Sequence, residues 1–295
     1  MADILWHNQN TGATLIWRMN GPHDLDTVSL PGASPSEWQI VATADTDADG
    51  YTDIIWRNSS GGVLVWLADG AEDIATSGSI LTVATTWQVR GVGDFDANGT
   101  DDLFWQKATG ETAIWFMSGS ATTSQVPTPS APGWDVIGIG DFDGDDKADV
   151  LFENGSTNEG IVWFMNGAAV RETVAFDSAV GFTRLIGDFD GDGFDDVAIQ
   201  EPSGNLRISF GSAATPQGWS MSSPVYVDTL LTSYTITQAG DFNGDGRDDM
   251  LVRNESNGDV ALSISPATWV PFGGPSPTFV EGVSLSWRVG GVGRF

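Results

Sequence analysis

The chain of 295 residues has no cysteine, two histidines, and only 12 lysines and arginines against 40 acidic residues. Without cysteine there can be no disulfide, no thiolate metal site and no cysteine nucleophile. A formal charge of -28 with no basic cluster excludes nucleic acid and anionic membrane surfaces as partners, because both are polyanions; cations are the natural counterpart. No apolar run approaches the ~20 residues that cross a bilayer, so no membrane insertion is expected. The opening MADILWHNQN has neither a basic nor a long apolar stretch, so no signal peptide is expected in this chain. His7 and His23 lie apart in one region, no catalytic constellation forms around them, and no catalytic residue is assigned.

At 40% hydrophobic and 11% aromatic, the chain can bury a sizeable core. One unit recurs along it: WQIVATADTDADGYTDIIW from Trp38, WQVRGVGDFDANGTDDLFW from Trp87, WDVIGIGDFDGDDKADVLF from Trp134, FTRLIGDFDGDGFDDVAI from Phe182 and YTITQAGDFNGDGRDDMLV from Tyr234. The first loop aspartates are Asp45, Asp94, Asp141, Asp188 and Asp241, which gives steps of 49, 47, 47 and 53 residues. A sixth copy is split: WRVGGVGRF at the end matches the left half of the unit and ADILW at the start matches the right half. Apolar runs on both sides of each loop read as strands, and a hairpin strand such as VLVWLADG and a variable segment follow. Four-stranded units of 40 to 50 residues predict an all-β, six-bladed β-propeller with four antiparallel strands per blade. A blade shared between the N- and C-termini would close the ring. The expected blades of this single domain, 1–295, are 285–295 plus 1–35, 36–84, 85–131, 132–179, 180–231 and 232–284. In the second blade, the turn NSSGG predicts that Trp56 pairs with Leu64 and Ile54 with Trp66, on a face packed against a neighbour.

Crowding like charges into one bend raises repulsion unless a cation sits among them. Counted from its first aspartate, each loop carries acids or amides at positions 1, 3, 5 and 9. These are Asp45, Asp47, Asp49 and Asp53; Asp94, Asp96, Asn98 and Asp102; Asp141, Asp143, Asp145 and Asp149; Asp188, Asp190, Asp192 and Asp196; and Asp241, Asn243, Asp245 and Asp249. With the backbone carbonyls of position 7 (Tyr51, Thr100, Lys147, Phe194 and Arg247), they form an oxygen set suited to calcium, which accepts six to eight oxygens in flexible geometry. Glycine at position 6 (Gly50, Gly99, Gly193, Gly246) would supply the unusual angles of the bend, with Asp146 as the one exception. Position 12 is apolar (Trp56, Trp105, Phe152, Ile199, Val252) where an EF-hand needs glutamate, so these are not EF-hands. Five Ca2+ ions would change the formal charge from -28 to -18, since 5 × 2 = 10. The split copy, with Arg294 at position 1 and Asp3 at position 9, is expected to hold none.

The GDFDGDG core with DDVAI after it resembles the FG-GAP, or VCBS, repeat family of calcium-binding propellers, found in integrin alpha subunits, bacterial surface proteins and some lectins. The resemblance spans nearly the whole chain and implies calcium at the positions just named. It also implies a non-catalytic recognition module, carbohydrate-binding or adhesive. A protein-binding scaffold of the integrin-head type is the alternative, using connections such as residues 127–133, and a polysaccharide lyase-like enzyme is the third reading. Thirteen tryptophans supply flat rings suited to sugar faces, several beside polar groups at hairpin tips. The candidate ligand residues are Trp6, His7 and Asn8; Trp56, Arg57 and Asn58; and Trp105 and Gln106. Calcium sites of this class fill at ~0.1–1 mM, a level met outside cells, so an extracellular or cell-surface location and partner are expected.

Overall fold

The structure is a computed structural model and describes residues 1–34, 36–70, 74–177, 182–211, 225–230, 232–266 and 278–295. Among the described residues, 24 strands form six four-stranded antiparallel sheets. The first three strands are β1 (Asp3–Asn8), β2 (Thr14–Asn20) and β3 (His23–Leu30). The second sheet is β4 (Trp38–Ala44), β5 (Asp53–Asn58), β6 (Gly62–Ala68) and β7 (Ile74–Thr82). The third is β8 (Trp87–Gly93), β9 (Asp102–Lys107), β10 (Thr112–Ser118) and β11 (Ala121–Thr128), and the fourth is β12 (Asp135–Gly140), β13 (Asp149–Asn154), β14 (Glu159–Asn166) and β15 (Ala169–Asp177). The fifth is β16 (Thr183–Gly187), β17 (Asp196–Gln200), β18 (Asn205–Ser209) and β19 (Val225–Thr229), and the sixth is β20 (Tyr234–Gly240), β21 (Asp249–Asn254), β22 (Asp259–Ser263) and β23 (Thr278–Gly282). The last strand, β24 (Trp287–Gly293), returns to pair with β1, and Asp3 lies opposite Gly293. The two chain ends therefore complete one blade.

The innermost strands β4, β8, β12, β16, β20 and β24 each contact the next, and β24 contacts β4, so the sheets stand in a closed ring. Glycine makes this approach possible: a Cβ on Gly138 would lie 2.6 Å from Ile186, and one on Gly290 would lie 2.7 Å from Ile40. The core is six interfaces between neighbouring blades. Leu5, Ile16 and Val28 of the first blade meet Ile54, Trp56 and Trp66 of the second, whereas Ile55 and Val65 face Leu103, Trp105 and Trp115 of the third. Each middle strand is thus covered on both faces, which is why runs such as DIIW and DLFW are apolar without alternation. Register in the second hairpin is Ile54 to Trp66 and Trp56 to Leu64, as the turn sequence implied.

Candidate metal centres

Each aspartate loop joins the innermost strand of a blade to the second, at one end of the ring. Its shape comes from side-chain oxygens accepting backbone N–H groups. The position 1 carboxylate accepts from the N–H of position 6 in all five loops: Gly50 at 2.9 Å, Gly99 at 2.7 Å, Asp146 at 2.8 Å, Gly193 at 2.9 Å and Gly246 at 3.1 Å. Position 6 is left-handed throughout, at φ 83° in Gly50 and 62° in Asp146, as expected. Position 4 is left-handed too, including Ala48 at 61° and Ala97 at 58°, a requirement that alanine does not advertise.

Position 9 is fully buried in every loop. One oxygen accepts the N–H of position 2, as from Phe189 to Asp196 at 2.8 Å, and the other accepts an N–H at or just past the end of the third strand, as from Met165 to Asp149 at 2.8 Å and from Gly211 to Asp196 at 2.7 Å. Burial pushes these carboxyls up, Asp53 to about 6, Asp102 and Asp249 to about 7, and Asp149 and Asp196 to about 8. In four loops the carboxylates of positions 1, 3 and 9 converge with their oxygens within 4.8 Å of one another: Asp45, Asp47 and Asp53; Asp94, Asp96 and Asp102; Asp141, Asp143 and Asp149; and Asp188, Asp190 and Asp196. The fifth loop has the same backbone frame with Asn243 at position 3. Position 5 stands outside these sets. Asp49, Asn98, Asp145, Asp192 and Asp245 each accept the N–H of position 7, from Tyr51, Thr100, Lys147, Phe194 and Arg247 respectively.

Two observations fit a cation to these clusters. Asp45 Oδ1 and Asp143 Oδ1 are buried without a hydrogen-bond partner. Burial and neighbouring carboxylates also raise Asp47, Asp96 and Asp190, so the clusters resist ionisation unless positive charge enters. In the fourth blade the Arg171 guanidinium pairs with Asp143 and Asp145 and supplies part of that charge.

The residue at position 8, an aspartate in three of the loops, has a separate role that the sequence did not reveal. Its N–H donates to the position 1 carbonyl of the preceding blade, and the link runs round the whole ring: Thr52 to Arg294, Asp101 to Asp45, Ala148 to Asp94, Asp195 to Asp141, Asp248 to Asp188 and Ala2 to Asp241, at 2.5–2.8 Å. In three loops the side chain reinforces the link, with Asp101, Asp195 and Asp248 accepting the N–H of Asp45, Asp141 and Asp188. At the split junction Asp3 keeps the position 9 bond from the Met19 N–H, while the Arg294 guanidinium lies over Tyr51.

A model of the FG-GAP-like repeat matches residues 188–252, the stretch from the fourth aspartate loop through the fifth. Those residues are an FG-GAP-like repeat, and the ring is an FG-GAP-type propeller. A search of curated proteins finds no match. Similar solved folds include a nidogen/laminin complex (TM-score 0.57, 10% identity, 99% of this chain and 97% of that one covered) and a Bacteroides caccae protein of unknown function (0.55, 11%, 99% and 97%). The Pseudomonas aeruginosa periplasmic gluconolactonase is another (0.54, 14%, 92% and 81%). At these identities the likeness is one of fold alone.

The candidate ligand residues need correction in this FG-GAP-type ring. Trp6, Trp56 and Trp105 are at most 1% exposed and stack on Trp17, Trp66 and Trp115 at 5.0, 4.7 and 4.8 Å, because neighbouring blades cover both faces of their strands. His7 and Gln106 are buried, bonded to Thr14 Oγ1 and the Trp134 carbonyl. Asn8 and Asn58 cap their own hairpin turns through backbone N–H groups. None of these offers a platform to a sugar. Arg57 and Asn58 border an open cleft, a 410 Å³ hollow between the second and third blades, and of the two only Arg57 is not spent on capping its own turn.

Proposed function

We propose that this propeller is a non-catalytic recognition module that binds calcium at the aspartate loops and carbohydrate between blades, outside cells or at their surface. The observation that carries the calcium reading is the recurrence of buried, converging carboxylates on a rigid N–H frame, with two oxygens left unpartnered. Calcium suits an all-oxygen set from a flexible loop better than magnesium, which demands a strict octahedron. With three carboxylates in four loops, two and an amide in the fifth, and the loop backbone around each ion, the role is structural and gives no reason to expect chemistry there.

The carbohydrate reading moves from the buried rings to the space between the second and third blades. Beside the 410 Å³ hollow lies a second one of 540 Å³, walled by Trp87, Trp115 and Pro127 and edged by Glu111, Thr112 and Gln125. Aromatic walls with hydroxyl, amide and carboxylate edges match a sugar's apolar face and hydroxyl rim, and the volume lies in the usual range for ligand pockets. The connection at 127–133, offered by the sequence as a protein-binding loop, is pinned: Ala131 is buried and its N–H donates to the Gly110 carbonyl. Native mass spectrometry with calcium should show about five added ions, and a glycan panel with and without chelator should show signal that a free sugar competes away. Zero bound ions, or capture of a protein partner with no glycan signal, would overturn the respective half of the reading.

A further inference from the structure

We propose that the cleft between the second and third blades selects a saccharide bearing a carboxylate, with Arg57 as the group that receives it. This rests on the carbohydrate reading above and adds the ligand's charge.

In a chain this acidic, cations are normally consumed by carboxylates. Arg90, Arg171, Arg184, Arg207, Arg247 and Arg253 each lie within 3.8 Å of one. Among the described residues Arg57 has none within 4.0 Å. Its guanidinium carbon sits 5.0 Å over the Trp105 ring, and its Nη2 donates to the Ala84 carbonyl at 3.1 Å. Nη1 is buried with no hydrogen-bond partner; Arg90, Arg184, Arg207 and Arg253 also have an unpartnered guanidinium nitrogen, but each of those has a carboxylate within 3.8 Å. A buried guanidinium N–H without an acceptor is costly, and the fork geometry of arginine suits a carboxylate better than any other small group.

The same place in the other blades shows how unusual this is. The residue four past position 9 is His7, Gln106, Glu153, Gln200 or Arg253 elsewhere in the ring. His7 bonds Thr14, Gln106 and Gln200 donate to the Trp134 and Tyr234 carbonyls of the next blade, Glu153 pairs with Arg184, and Arg253 is 1% exposed beside Glu255. Arg57 instead opens on a hollow lined by Gln39, Asn58, Ser59 and Gln88. Trp87 walls both this hollow and the larger one, so a carboxylate on Arg57 would leave the rest of the ligand beside indole. Glu37 borders the polar hollow without pairing with Arg57, which disfavours bare inorganic anions and favours a ligand that also offers hydroxyl donors.

The test compares a trisaccharide of galacturonic acid with its methyl ester, by calorimetry at one fixed calcium concentration. The two probes share the same sugar chain and differ in whether its carboxyl groups are charged or capped by a methyl. The substitution is Arg57→Gln, a side chain the ring already uses at this place in two blades, with retention of the calcium-dependent melt as the folding control. The wild type should bind the acid about tenfold to a hundredfold more tightly than the ester, the worth of one charge-assisted pair. R57Q should remove that preference, leaving acid and ester with equal affinity, while Arg57→Lys should restore part of it. Equal binding of acid and ester by the wild type, or an unaltered preference in R57Q, overturns this proposal and leaves the carbohydrate reading standing. Binding of neither probe, together with an empty glycan panel, overturns both.

Discussion

Removing calcium should lower the melting temperature of this protein by more than 10 °C. At about 10 mM calcium and dissociation constants of ~0.1–1 mM, mass action gives each site about 1.4–2.7 kcal/mol. Five independent sites contribute about 7–14 kcal/mol, comparable with the whole stability of an ordinary domain. With an unfolding entropy of ~2.1 cal/mol/K per residue over 295 residues, 1 kcal/mol corresponds to about 1.6 °C, so the expected shift is about 11–22 °C. Two features pull toward the lower figure: Arg171 must leave Asp143 before an ion takes the fourth-blade site, and Asn243 replaces a carboxylate in the sixth blade. The assay is differential scanning calorimetry at pH 8 with excess calcium and with EDTA, and magnesium as the control cation. A shift under about 2 °C would refute the reasoning, because it would mean that five sets of buried carboxylates keep their charges apart without help.

The chelated and loaded proteins should respond to pH in opposite senses. A carboxyl such as Asp149 or Asp196, raised from 3.8 to about 8 by burial, holds its proton more tightly folded than unfolded, so the chelated protein should lose stability as pH rises from about 4 to about 8. With calcium the trend should reverse, since protons compete with the ion, and melts at pH 5 and 8 in both conditions check the sign. Asp196→Ala strands the N–H groups of Phe189 and Gly211 and should cost about 2–6 kcal/mol in urea titration even in EDTA. Gly258→Ala would place a Cβ 1.8 Å from the Val283 carbonyl oxygen at φ 86°, so the variant should melt several degrees lower or fail to accumulate. Deleting residues 287–295 removes the innermost strand of the first blade, and the cooperative melt seen by circular dichroism should be lost.

The loop spacing disclosed the blade count, the closure and the hairpin register, because those follow from a periodic motif and turn chemistry. The fate of the tryptophans did not. A strand reading DIIW has the same letters whether its ring meets water or a neighbour, although the lack of alternation in DIIW and DLFW was the usable sign of burial on both faces. In the DD pair at positions 8 and 9, one aspartate faces the cluster and the other binds the blade before it; a single copy of the unit cannot show a contact made between copies. Arg57 escaped notice as distinct for a related reason. Its solitude is a property of what surrounds it, not of its spacing.

The pairing of β24 with β1 has a mechanical corollary. Because Asp3 sits opposite Gly293 and the strands run antiparallel, both free ends emerge at the same edge of the pair. Tension applied between them would unzip the ladder one rung at a time instead of shearing every rung together. The ring would therefore yield at low force when pulled through residues 1 and 295, whatever its stability to heat.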